Sequence, residues 1–194
     1  QALGMFAAYY SDETVVAWAV INGPLTKDKE QVLYLEADLS PFSSFIQVLG
    51  TNSPGGSGSQ EMLLDAIFLA IADISAGSSN QKSASSWKKK FSSTPTISDF
   101  KLSWRKDSNK VIIVFSDEYP QSYLAPTLTI ESVGQTAQTV PKLKIYTFTT
   151  DFANLNGGWQ SIATMSGGVS YELTSDTLLM YYSLIEILDT NICE

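Results

Sequence analysis

The stretch Lys110-Val111-Ile112-Ile113-Val114-Phe115-Ser116-Asp117-Glu118 constrains the fold more than any other part of the chain. A basic residue opens an unbroken run of five large apolar residues, most of them β-branched, and the run ends on acids. Such a run suits a strand covered on both faces, as in a parallel sheet. Ligands of open α/β sheets gather at the carboxyl ends of their strands. Asp117 stands at that edge and is the first place to look for a bound ion.

The rest of the chain supplies elements of both kinds. Strands are expected at 14–21, 31–35, 142–148 and 169–173, from short apolar or alternating runs bounded by turn residues. A helix is expected from Gln60 to about Ile74, where Met62, Leu63, Ala66, Ile67, Ala70, Ile71 and Ile74 form one apolar stripe. Further helices are expected at 1–10, at 42–49, within 126–140 and 152–165, and from a cap at Ser175 through Leu188. Strands and helices alternate throughout. That pattern predicts an α/β fold, with a doubly wound, mostly parallel sheet and helices on both faces. No repeat or composition break divides it, so 1–194 is expected as a single domain. Residues 76–98 form a Ser/Lys-rich insertion within it.

Composition narrows the function. The chain has 194 residues, 44% hydrophobic and 16% charged, which fits a globular domain with a sizeable core. The net charge of −8 argues against nucleic acid as a partner, because phosphate binding needs a basic face. No apolar stretch reaches the roughly 18 residues of a membrane span. No basic and apolar leader opens the sequence. Histidine is absent from the chain, which removes a Ser-His-Asp triad and a His-based zinc site. A Gly-x-Gly-x-x-Gly loop and a P-loop are also lacking. The expectation is therefore that the protein is not an enzyme. The single cysteine, Cys193, is either an unpaired tail thiol or half of an intermolecular disulfide. The Ser-, Thr-, Asn- and Gln-rich composition fits an extracellular or cell-surface location.

Two loops offer hard oxygen ligands of the kind Mg²⁺ or Ca²⁺ requires. One carries Asp117. The other, Ser57-Gly58-Ser59-Gln60-Glu61, precedes the long helix. The plain alternative for the second loop is helix capping by Ser57 or Ser59, with Glu61 favoured in the first turn by the helix dipole. Trp87-Lys88-Lys89-Lys90-Phe91 is the one basic patch with aromatics and reads as a solvated loop rather than a contact for an anionic partner. Trp104 is expected to pack, Asp151 to cap the helix that follows it, and Tyr181-Tyr182 to be half core and half surface.

The element order, the motif Val111-Ile112-Ile113-Val114-Phe115-Ser116-Asp117 and the segment Pro54-Gly55-Gly56…Glu61-Met62-Leu63-Leu64-Asp65-Ala66-Ile67 resemble a von Willebrand factor type A domain. Leu143 to Phe148 and Trp159 to Gly168 extend the resemblance over nearly the whole chain. It implies a metal-ion-dependent adhesion site. In that site Asp117 matches the Asp after the fourth strand, and Glu61 matches the Glu that integrin β subunits place before the long helix. Ser57 and Ser59 would stand in for the family's Thr. Glu118 and Asn52 would flank the site as partner contacts. The family's first strand and its Asp-x-Ser-x-Ser loop are missing. The nearest match, Asp38-Leu39-Ser40-Pro41-Phe42, has Phe in place of the second Ser and reads as a decoy.

In the family the first strand lies beside the fourth. Without it the Val111–Phe115 strand would lose a neighbour, at a cost on the order of 1–3 kcal/mol for each buried unpaired backbone group. The resemblance thus implies that a second chain or fragment supplies the strand, with Cys193 a candidate for pairing with it. Two functions follow as expectations. The first is an extracellular adhesion or protein-binding module, in which Mg²⁺ or Ca²⁺ bridges to an acidic group of a protein ligand. The alternative is a structural subunit of a surface filament or adhesin assembly, with a degenerate metal site.

Overall fold

A computed structural model describes residues 15–22, 32–41, 63–75, 87–90, 104, 107–122, 126–151, 153–154 and 157–192, the first two segments and 87–90 by their backbone. The elements in chain order are β1 (Val15–Asn22), β2 (Val32–Pro41), α1 (Leu63–Ser75), β3 (Trp87–Lys90) and β4 (Lys110–Ser116). They continue with α2 (Ile130–Gln138), β5 (Leu143–Thr149), α3 (Gly158–Met165), β6 (Ser170–Glu172) and α4 (Thr177–Ile192). The protein is α/β, with a three-stranded parallel sheet in the order β4-β5-β6. The helices expected at 1–10 and 42–49 lie outside the described residues. Contacts divide the chain into two compact units, one built on Asp107–Pro120 and Ile130–Glu194, the other on Ser11–Lys106 and Gln121–Thr129.

In the first unit β5 is the centre. Leu143, Ile145, Thr147 and Thr149 are buried on one face, and Tyr146 and Phe148 on the other. A strand buried on both faces takes large or β-branched residues on each, and in Leu143–Thr149 only Lys144 is less than buried, with Thr147 and Thr149 the polar residues of the buried set. The register pairs Ile113 with Tyr146 and Phe115 with Phe148 on β4, and Phe148 with Tyr171 on β6. Phe115, Phe148 and Tyr171 therefore share a face and stack across three strands, with centroids 5.0 Å apart at each step.

Helices close this sheet. α4 turns Leu184, Ile187 and Leu188 inward, and its Asn191 donates from Nδ2 to the Tyr146 hydroxyl at 2.9 Å. Burying residues such as Phe148, Trp159, Ile162 and Ile187 stabilises the unit by roughly 1.5–3 kcal/mol each. α4 is capped by Asp176 rather than Ser175. Its Oδ1 accepts from the backbone N–H groups of Leu178 and Leu179 at 2.9 and 3.2 Å. Both residue types cap well, so backbone geometry made the choice.

The turn after α3 brings backbone against backbone. The Ile145 N–H donates to Ser166 Oγ at 2.9 Å, and Gly168 N–H donates to the Ala163 carbonyl at 2.9 Å. A Cβ on Gly168 would overlap the Ile145 carbonyl group. One on Gly134 would meet the flexible end of Met165, which can move aside.

The second unit holds an antiparallel sheet in the order β1-β2-β3. β1 is irregular around Trp18. Trp87–Lys90, expected as a solvated loop, is instead strand β3, paired with Val32–Leu35. Three lysines on a terminal strand suit an edge that must not recruit further strands. Asp38, Leu39 and Ser40 are part of β2 and not a ligand loop.

Helix α1 also departs from the expected single stripe. Asp65 and Asp73 are buried along with Leu64, Ile67, Leu69 and Ile71. Each acid has a partner. Ser122 Oγ donates to Asp65 Oδ1 at 3.1 Å, and Trp104 Nε1 donates to Asp73 Oδ2 at 2.9 Å. Hydrogen bonding is what lets carboxyl groups enter an interior.

Gly168→Ala is expected to destabilise the protein by at least about 3 kcal/mol in chemical denaturation, because the obstacle is backbone. Gly134→Ala is expected to cost about 1 kcal/mol, since a methionine can rotate away. Equal losses for the two variants would contradict this packing.

Candidate functional site at the carboxyl edge of the parallel sheet

Three strands of the parallel sheet end at one edge, and each exit carries polar residues. β4 leads into Ser116-Asp117-Glu118, β5 into Thr149-Thr150-Asp151, and β6 ends on Glu172. Parallel pairing forces these exits together: Ser116 is in register with Thr149, and Thr149 with Glu172.

The turn at β4 is held from inside. Ser116 is buried, and its Oγ both donates to the Glu118 carbonyl at 2.9 Å and accepts from the Glu118 N–H at 3.0 Å. Trp159, fully buried at the start of α3, donates from Nε1 to the same carbonyl at 2.8 Å. Pro120 lies against Gly158, where a Cβ would touch its ring. The backbone on both sides of Asp117 is thus fixed, while the Asp117 side chain is exposed. Glu118 is half-buried. A carboxylate on a rigid turn at a strand end can serve as an oxygen ligand at little entropic cost.

The β5 exit is ordered by its own hydrogen bonds. Thr150 Oγ1 accepts from the Ala153 N–H at 3.1 Å, and the Thr150 carbonyl accepts from the Asn154 N–H at 3.0 Å. Asn154 Oδ1 then accepts from the Gln160 N–H in the first turn of α3 at 3.0 Å. The capping expected of Asp151 is therefore done by Asn154. Asp151 itself is exposed. Gly157 takes φ 67°, the left-handed conformation that lets the chain turn into α3.

Of the residues singled out in the sequence, Asp117 and Glu118 are at this edge. Glu61, Ser59, Ser57, Asn52 and Cys193 lie outside the described residues. Among the described residues no three acidic or cysteine side chains converge. Ser116 and Trp159, which set the turn, were not singled out. The hydroxyl beside Asp117 was a usable signal, but nothing local ties Trp159 to a turn 41 residues earlier. Among the described residues no helix is long and apolar enough to cross a membrane. Comparison with known protein families, curated proteins and solved structures finds no match to this chain.

On the stacked face, burial first and then the Glu186 carboxylate push the Tyr171 hydroxyl up to about 12. The native state therefore holds this proton more tightly than the unfolded chain, whose ordinary value is 10.0. The resulting stability is fully present below pH 10 and is lost as pH rises towards about 12. The urea midpoint of the wild type is expected to fall more steeply across that window than that of Tyr171→Phe. Parallel slopes would contradict the assignment.

Proposed function

We propose that the protein is a protein-binding module of the von Willebrand A type, and that it binds through the carboxyl edge of its parallel sheet. Asp117 is the central ligand of a divalent cation, Mg²⁺ or Ca²⁺. An acidic group of the protein ligand completes the coordination sphere, and Glu118 and Asn52 contact that ligand. The reading places the module outside the cell or on its surface and gives it no catalytic role. The observation that carries it is the turn at Asp117. An exposed carboxylate stands at the exit of the β4 strand on a backbone held by Ser116 and Trp159.

The expected outcome in calorimetry is a saturable heat with Mg²⁺, Ca²⁺ or Mn²⁺ for the wild type and its loss in Asp117→Ala. Identical traces for the two proteins would reject the site.

A second reading is favoured by the state of β4. Val111, Ile112, Ile113 and Phe115 are half-buried, whereas β5 beside it is buried almost throughout. Among the described residues β4 pairs on one side only, with β5. An apolar strand in that position invites another strand. In this reading the chain is a structural subunit of a surface assembly. A second chain or fragment adds a strand to β4, and Cys193 is available to link it. Hydrogen exchange on the 194-residue chain is expected to show β4 amides that face away from β5 exchanging far faster than β5 amides. Uniform protection across both strands would eliminate this reading.

A further inference from the structure

The outer edge of β4 has a definite pattern of backbone groups. The Lys110 N–H donates to the Lys142 carbonyl at 2.8 Å, with Lys110 in parallel register with Leu143. Backbone groups alternate in direction along a strand. Lys110, Ile112, Val114 and Ser116 therefore bond to β5, and Val111, Ile113 and Phe115 aim their N–H and C=O groups away from it. Among the described residues no strand takes that outer row. The devices that usually blunt an edge are missing from it as well. β4 is seven residues long, its register with β5 is unbroken, and it holds no proline and no charge between Lys110 and Asp117. Other edges differ: β6 has three residues, and β3 carries three lysines.

The sequence of β4 says what fits there. Lys110, five apolar residues and Ser116-Asp117-Glu118 make a segment that is complementary to itself when reversed. About a two-fold axis at Ile113, Ile113 meets Ile113 of a second copy, Val111 meets Phe115, and Lys110 meets Ser116 at the head of the acidic turn. The outward residues 111, 113 and 115 map onto one another under that axis, so their N–H and C=O groups pair as in an antiparallel ladder. Moving the axis to Ile112 or Val114 would set Phe115 against Asn109 or Val111 against Asp117. Parallel pairing of two copies would lay lysine beside lysine and acid beside acid. Lys110 Nζ donates to the Ser108 carbonyl at 2.6 Å, which uses one of its three donors and leaves its charge to face the turn. We infer that a second copy of this chain docks antiparallel along β4, about a two-fold axis at Ile113, and joins the two three-stranded parallel sheets into one of six strands. Such an interface uses the same edge of both copies and closes at two. Half-buried Val111, Ile113 and Phe115 gain cover on the face of the Phe115–Phe148–Tyr171 stack. The inference rests on the reading of β4 as an open edge and names its partner. It is independent of the cation reading of Asp117.

The test is sedimentation equilibrium on the full chain carrying Cys193→Ser, which removes any disulfide between copies. The expected result is a reversible equilibrium between monomer and dimer. Amide exchange at Val111, Ile113 and Phe115, fast in dilute protein, should slow as concentration rises, while exchange on β6 stays constant. Ile113→Pro removes one outward donor from each copy and no bond to β5. Lys110→Glu leaves the apolar strand intact and sets acid against the acidic turn. Each should raise the dimer dissociation constant at least about 10-fold, because each change counts twice across the axis. If Ile113→Pro fails to fold, Lys110→Glu decides. A dimer that is not weakened in Lys110→Glu would overturn the proposal, as would one whose β4 amides exchange as fast as the monomer's. A chain that stays monomeric with fast outward amides would overturn it too, while leaving β4 open to a different strand. A monomer whose outward amides are protected would overturn both this proposal and the open-edge reading.

Discussion

Everything described at the carboxyl edge depends on β5 being buried on both faces. Parallel pairing in register with β4 and β6 carries three strand ends to one line, and burial fixes that register because a one-residue slip would turn every side chain to the other face. The Phe115–Phe148–Tyr171 stack and the Asn191–Tyr146 hydrogen bond add to the same constraint from one side. Gly168 adds to it from the α3 turn, where only a hydrogen fits against the Ile145 backbone. Asp117 is positioned by this framework and contributes little to it. That separation lets an exposed carboxylate stand on a rigid turn.

Strand β4 was legible because Val111–Phe115 are apolar at consecutive positions, and β5 and β6 because their apolar residues alternate with polar ones between turn residues. The long helix before them was legible in extent but not in burial. Asp65 and Asp73 fall outside the apolar stripe, and their partners Ser122 and Trp104 come from 57 and 31 residues away, beyond any local pattern. Three lysines concealed strand β3, which exists because β2 offers it an edge. The start of α4 was misplaced by one residue because Ser175 and Asp176 compete for one capping role.

The candidate site was legible only in part. A strand ending in an acid is a local signal, and Asp117 carries it. The support beneath that acid is not local. It comes from Trp159, which reaches the Glu118 carbonyl from a helix three elements later in the chain. On α4, Leu178 and Leu179 are exposed whereas Leu184 and Leu188 are buried. Only the structure separates those leucines from the core residues of the same helix.

The central claim is that Asp117 ligates a divalent cation. Paramagnetic broadening of amide resonances by substoichiometric Mn²⁺ tests it most directly, because the effect falls steeply with distance from the ion. The account predicts that Ser116, Asp117, Glu118 and the β5 exit at Thr149 and Thr150 broaden first. It also predicts that Asp117→Asn abolishes that pattern while leaving the rest of the spectrum in place. Broadening spread evenly over the surface carboxylates, or unchanged in Asp117→Asn, would contradict it.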